Sequence, residues 1–204
     1  MLQYLAFGDS YTIGEAVPEK QRWPVQLVEK LRSQGTDVEY PKIIATTGWT
    51  SGELLAAIEK ENPASSYHLV SLLIGVNNQY RGYDLDLFRE EFTSLVQKAI
   101  FYARKRTEGV FVLSIPDYGV TPFAAEKNPP LIAKEIEEYN KLSQHICQRL
   151  DVAWYNITDI SKGAGSDHNL LAEDGLHPSG SMYAAWVEQI YPYVVKQIRL
   201  LQKV

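Results

Sequence analysis

The 204-residue chain has a single cysteine, Cys147, so no disulfide can form within it. Cys147 lies in a helical pattern between Ile146 and Gln148 and reads as a small buried hydrophobe. His145, two residues away, falls on a different helix face and cannot activate the thiol. No apolar stretch approaches the length of a membrane-spanning helix. Met1 to Phe7 contain no basic segment leading into a long apolar run, so a cytoplasmic location is the expectation. Positive charge is also short: 20 Lys and Arg against 25 Asp and Glu give −5, which argues against nucleic acid as the main partner. One basic cluster, Arg104-Lys105-Arg106, reads as favourable charge at a helix C-terminus.

The chain does have enough apolar residues (45 %, with 22 % charged) and enough length for one domain with a substantial core, so residues 1–204 are expected to form a single domain. Short apolar runs alternate with helical periodicity. Strands are predicted at Gln3–Phe7, Val38–Ala45, His68–Ile74, Val110–Ile115 and Val152–Asn156. Helices are predicted at Arg22–Gln34, Gly52–Asn62, Leu85–Arg106, Pro130–Leu150 and Gly180–Leu201. Near-continuous apolar strands separated by helices indicate an α/β class protein. The expected architecture is a three-layer α/β/α sandwich around a five-stranded parallel sheet. The simplest doubly wound order is the flavodoxin-like 2-1-3-4-5.

Ligands of such sheets collect at the carboxyl ends of the strands. There the sequence places Gly8-Asp9-Ser10, Thr47-Gly48-Trp49, Gly75-Val76-Asn77-Asn78 and Pro116-Asp117-Tyr118. A long segment after the fifth strand carries Asp174-Gly175-Leu176-His177. Strand five would lie about 14 Å from strand one, a gap that the segment from Thr158 to His177 can span to bring His177 over Ser10. A serine hydroxyl needs a base to become nucleophilic, and His177 oriented by Asp174 can supply it. The backbone N–H groups of Ser10 and Gly48 and the Asn77 amide are candidate donors to the oxyanion.

Phe7-Gly8-Asp9-Ser10-Tyr11, Gly48, Gly75-Val76-Asn77-Asn78 and Asp174-Gly175-Leu176-His177 resemble blocks I, II, III and V of the SGNH (GDSL-type) hydrolases, in the family's order. The resemblance implies the SGNH hydrolase fold, with Ser10, Asp174 and His177 as triad and Ser10, Gly48 and Asn77 as oxyanion hole. It implies no metal or organic cofactor. Two positions depart from the family pattern: Tyr11 replaces the leucine of block I, and Asn78 stands where block III usually carries Asp. The Gly-x-Ser-x-Gly elbow of the α/β-hydrolases is absent around Ser10.

The rival base is His168, which lacks an Asp three residues before it; His68 and His145 read as structural. Asp9, Trp49, Asn78, Tyr80 and Tyr118 are candidate substrate contacts, and Tyr83 and Phe123 also fall in the strand-end loops. Arg81 reads as a solvated side chain. The expected activity is hydrolysis of carboxylic esters, with short acyl groups favoured because no extended apolar lid is present. A thioesterase or lysophospholipase would use the same machinery. A non-catalytic binding module and an acyltransferase are the alternatives outside hydrolysis. The expected partner is a small-molecule ester; the sequence does not determine the oligomeric state.

Overall fold

A computed structural model describes residues 1–202. Five parallel strands form one sheet: β1 (Tyr4–Gly8), β2 (Lys42–Ala45), β3 (Leu69–Leu73), β4 (Val110–Leu113) and β5 (Ala153–Tyr155), in the order β2-β1-β3-β4-β5. The longer helices between them are α2 (Trp23–Ser33), α3 (Ser51–Glu61), α5 (Leu85–Tyr102), α6 (Pro129–Arg149) and α8 (Gly180–Leu201). Short helices α1 (Ser10–Ile13), α4 (Val76–Tyr80) and α7 (Thr158–Ser161) follow β1, β3 and β5. This is the three-layer sandwich and strand order expected from the apolar runs.

Every residue of β1, β3 and β4 is buried, which is why these strands read as continuous apolar runs rather than alternating ones. The polar exception, Ser71, accepts or donates a 2.8 Å bond with the Tyr4 hydroxyl, so neither oxygen is left unpaired. On one face, Phe88 packs against Phe92 and Tyr139 with ring centroids 5.2 and 4.6 Å away. Each buried phenylalanine contributes roughly 1.5–3 kcal/mol relative to exposure. On the other face, α2 and α8 close over the sheet through Trp23, Leu27, Trp186 and Ile190, all wholly buried.

Two boundaries differ from the sequence expectation for identifiable reasons. β2 begins at Lys42, not Val38, because Pro41 has no N–H for the ladder; upstream, only an isolated Leu2–Val38 bridge forms. α5 ends at Tyr102, and Arg104 and Lys105 follow with φ of +58° and +60°. The basic run therefore lies beyond the helix, where the Lys105 N–H reaches back to the Ile100 carbonyl at 2.9 Å, instead of within its last turn.

Adjacent register aligns Gly8 of β1 with Ala45 of β2 and Leu73 of β3. The three strands thus end level, and the segments that begin at Asp9, Thr46 and Ile74 leave the sheet side by side.

Candidate active site

Ser10 is the first residue of α1, and the helix is capped by Asp9, whose Oδ1 accepts the Tyr11 N–H at 3.0 Å. A strand running straight into a capped helical turn holds the Ser10 side chain at the sheet's carboxyl edge. Asp9 itself is wholly buried, and its Oδ2 has no hydrogen-bond partner among the described residues. Burial lifts its carboxyl to about 7, against hydrogen bonds from the Tyr11 and Asp9 N–H groups that lower it. Asp9 is therefore a structural cap set behind the nucleophile candidate, not a group facing the pocket.

That shift has a consequence for stability. Between the ordinary carboxylate range and about 7, the folded chain keeps a proton that the unfolded chain has lost. Stability falls as pH rises through this window and levels off above it. Asp9→Asn retains the cap oxygen and removes the titration. Melting temperatures of the wild type should therefore drop more between about pH 5 and about pH 8 than those of the variant. Parallel pH dependences would show that Asp9 does not titrate there.

The segment after β5 folds back as short turns and ends at Asp174 to His177. Asp174 Oδ1 accepts the Leu176 and His177 N–H groups at 3.0 and 2.9 Å, which closes a tight turn. Its other oxygen, Oδ2, lies 2.6 Å from His177 Nδ1. Burial raises the Asp174 carboxyl, but the His177 ring and the two N–H groups outweigh it and hold the carboxyl below its usual range. The Ala172 N–H bonds the His177 carbonyl at 2.8 Å, and the Tyr11 ring lies 5.8 Å from the imidazole at an edge-on angle. The imidazole is thereby fixed in orientation, and its Nε2 makes no hydrogen bond among the described residues.

Ser10, His177 and Asn77 line one pocket of about 120 Å³, walled by Tyr80, Tyr118 and Phe123. Ser10 and His177 are both nearly buried. No hydrogen bond joins them among the described residues, consistent with free enzymes in which this contact tightens when substrate binds. The three wall aromatics form a triangle with centroids 6.1 to 6.4 Å apart. A larger groove of about 490 Å³ runs along α6 and the β5 edge, but it contains neither Ser10 nor His177. Several of its charges are paired with each other, as in Lys141–Glu137 and Lys162–Asp159. The smaller pocket is the one that gathers Ser10, Asn77 and His177.

On the segment after β2, Gly48 adopts φ +86°, a conformation that favours glycine, and is not among the residues that line this pocket. Its carbonyl accepts from the Arg81 guanidinium at 2.6 Å, so Arg81 braces the backbone here rather than being merely solvated. Asn77 Nδ2 donates to the Trp49 carbonyl at 3.0 Å, leaving its second N–H for the pocket. Trp49 enters the site through its backbone and does not line the pocket, and neither does Tyr83. Asn78 is wholly buried, away from any substrate path. The remaining histidines are elsewhere: His168 is exposed, His145 is exposed on α6, and His68 Nδ1 accepts the Gln3 N–H at 3.1 Å. Burial pushes the Cys147 thiol up to about 12, so it stays protonated.

The sequence profile of the GDSL-like lipase/acylhydrolase family matches residues 6–185. The chain belongs to that family. No curated protein matches the chain by sequence. Among solved structures it is similar to a lipase/acylhydrolase from Enterococcus faecalis, at 22 % identity and TM-score 0.72, over 98 % of this chain and 97 % of that one. It is also similar to the psychrotrophic esterase EstA from Pseudoalteromonas sp., at 18 % identity and TM-score 0.70, over 98 % of this chain and 100 % of that one. An acetylxylan esterase from Geobacillus stearothermophilus superposes at TM-score 0.69 and 15 % identity, over 95 % of this chain and 94 % of that one. At these identities the likeness is one of fold.

Within the GDSL-like family pattern, the leucine replaced by Tyr11 is a pocket position: Tyr11 lines the cavity and packs on His177 and Trp186. Val76 and Leu176 also line it, and neither carries a signal in the sequence that marks it as a pocket residue.

Proposed function

We propose that this GDSL-like hydrolase cleaves carboxylic esters of short acyl groups through an acyl-enzyme on Ser10. The observation that carries this reading is His177, bonded to Asp174 at 2.6 Å and lining one small pocket with Ser10 and Asn77. His177 Nε2 takes the Ser10 proton as Oγ attacks the ester carbonyl. The tetrahedral oxyanion is met by the Ser10 and Gly48 N–H groups and the free Asn77 N–H. His177 then delivers that proton to the departing alcohol. Water attacks the acyl-Ser10 carbonyl and loses a proton to His177, which returns it to Ser10 Oγ as the acyl–Oγ bond breaks and the carboxylic acid leaves. Asp174 stays ionised throughout, stabilises the imidazolium and keeps Nδ1 protonated.

The acyl size follows from volume. The pocket is small, about 120 Å³, and walled by Tyr80, Tyr118 and Phe123, which supports a short acyl group over a long chain. The similar Geobacillus protein is an acetylxylan esterase, and the Pseudoalteromonas esterase was solved inhibited by monoethylphosphonate, which supports both the acyl size and a phosphonate-reactive nucleophile.

Hydrolysis of p-nitrophenyl acetate, butyrate and octanoate by the purified chain tests the reading. The expected order of kcat/KM is acetate, then butyrate, then octanoate, with about tenfold or more between the extremes. A maximum at octanoate would replace the short-acyl reading with a lipid or thioester hydrolase.

A further inference from the structure

Asn78, where block III of the family usually carries Asp, sits at the centre of a buried polar network that explains the exchange. Its Oδ1 accepts the Ser51 N–H at 2.9 Å, and its Nδ2 donates to Ser51 Oγ at 2.6 Å. Ser51 Oγ in turn donates to a carboxylate oxygen of Glu91, forty residues along on α5. Asn78 and Ser51 are both wholly buried. The Glu91 carboxylate lies against the first turn of α3, where a Cβ on residue 52 would come within 2.7 Å of Oε1; Gly52 leaves the space.

The chemistry of this network is restrictive. A serine hydroxyl has one hydrogen, and Glu91 accepts it, so the side chain at position 78 must be a donor towards Ser51 Oγ. An amide is; an ionised carboxylate is not. With an aspartate at that position, two acceptor carboxylates would compete for one proton, leaving two oxygens in contact with no hydrogen between them, at a place buried from solvent. It would also add a further carboxylate beside Glu91 and Glu53, the latter already in the capping box of α3 and paired with Arg81.

The network joins the two strand-end segments that flank Ser10. Asn77 is tied to the Trp49 carbonyl, and the next residue, Asn78, is tied to Ser51, so the start of α4 is pinned to residues 49–51 at two points. Gly48 immediately precedes this clamp. We infer that Asn78 and Glu91 are a matched pair of positioning residues that act through Ser51 to hold the Gly48 N–H and the Asn77 amide at the separation the oxyanion requires. Neither touches substrate. The inference rests on the proposed roles of Gly48 and Asn77.

The test is a two-by-two set on the full chain with p-nitrophenyl acetate: wild type, Asn78→Asp, Glu91→Gln and the double variant, each with its melting temperature. Asn78→Asp should lower kcat about ten- to hundredfold with KM within about threefold, since misplaced donors harm the transition state more than substrate binding. Glu91→Gln should cost less than Asn78→Asp. In the double variant the amide introduced at position 91 can donate to Ser51 Oγ. That frees the hydroxyl proton for the carboxylate introduced at position 78, and kcat should return to within about threefold of wild type. If Asn78→Asp does not fold, the double variant should restore both the melting transition and the rate. In a Ser51→Ala background, the coupling between positions 78 and 91 should vanish. A folded Asn78→Asp enzyme with unchanged kcat, or a double variant no faster than Asn78→Asp, would overturn the pairing. Ser10→Ala and Asn77→Ala are run alongside: full activity in either defeats the proposed catalytic reading itself, whatever the double variant does.

Discussion

Ser10→Ala is expected to lower kcat for p-nitrophenyl acetate by about three or more orders of magnitude while leaving KM and the melting temperature close to wild type. The change removes one hydroxyl from a residue whose cap, Asp9, and whose helical turn are set by backbone bonds that alanine preserves. Loss of the attacking oxygen removes the covalent route altogether. What remains is the slow attack of water on a substrate held against the Gly48 and Asn77 donors, so the residual rate should still exceed that of buffer. Steady-state kinetics with a sensitive fluorogenic acetate, alongside thermal melts, measure both. A Ser10→Ala protein within tenfold of wild type would mean that hydrolysis occurs without Ser10.

Asp174→Asn should reduce kcat by about three orders of magnitude, for a different reason. The amide oxygen can keep the bonds to the Leu176 and His177 N–H groups, so the turn should persist. The amide nitrogen would then face His177 Nδ1, and two N–H groups cannot point at each other. The imidazole would shift its hydrogen to Nε2, the atom that must accept the Ser10 proton. The side chain of Asp174 is 35 % exposed, so water can partly relieve the mismatch, and the loss should be somewhat smaller than for a buried acid. Because the wild-type carboxyl is held below its ordinary range, it is ionised across neutral pH, and the variant's loss should not recover as pH rises. A variant with the wild-type pH profile and a loss under tenfold would show that Asp174 does not set the tautomer.

Much of this was readable from the chain because both signals are strong. Strands buried on both faces read as near-continuous apolar runs, as in Val110 to Leu113, and the parallel order places the residues that follow them at one edge. The Asp-x-x-His spacing is legible because a three-residue turn lets one carboxylate bond both the backbone and the ring. Other features lacked a local signal. Arg104 and Lys105 end α5 in the left-handed region without a glycine to announce it. The strand ends at Gly8 and Leu73 run into short helices α1 and α4, too brief to show a period. Asp9 and Asn78 looked like pocket residues by position, yet both point into the protein, where each organises backbone instead. Glu91 was invisible in this role: its partner Ser51 is forty residues away, and on a helix surface a glutamate reads as solvated.

The most direct measurement is covalent. The purified chain is treated with a fluorophosphonate, digested, and its peptides mapped by mass spectrometry, with Ser10→Ala and His177→Ala treated in parallel. The expected result is a single phosphonylated site at Ser10, formed as activity is lost, absent in Ser10→Ala and much slowed in His177→Ala. An active protein that carries no adduct, or carries it on another residue, would contradict Ser10 as the nucleophile.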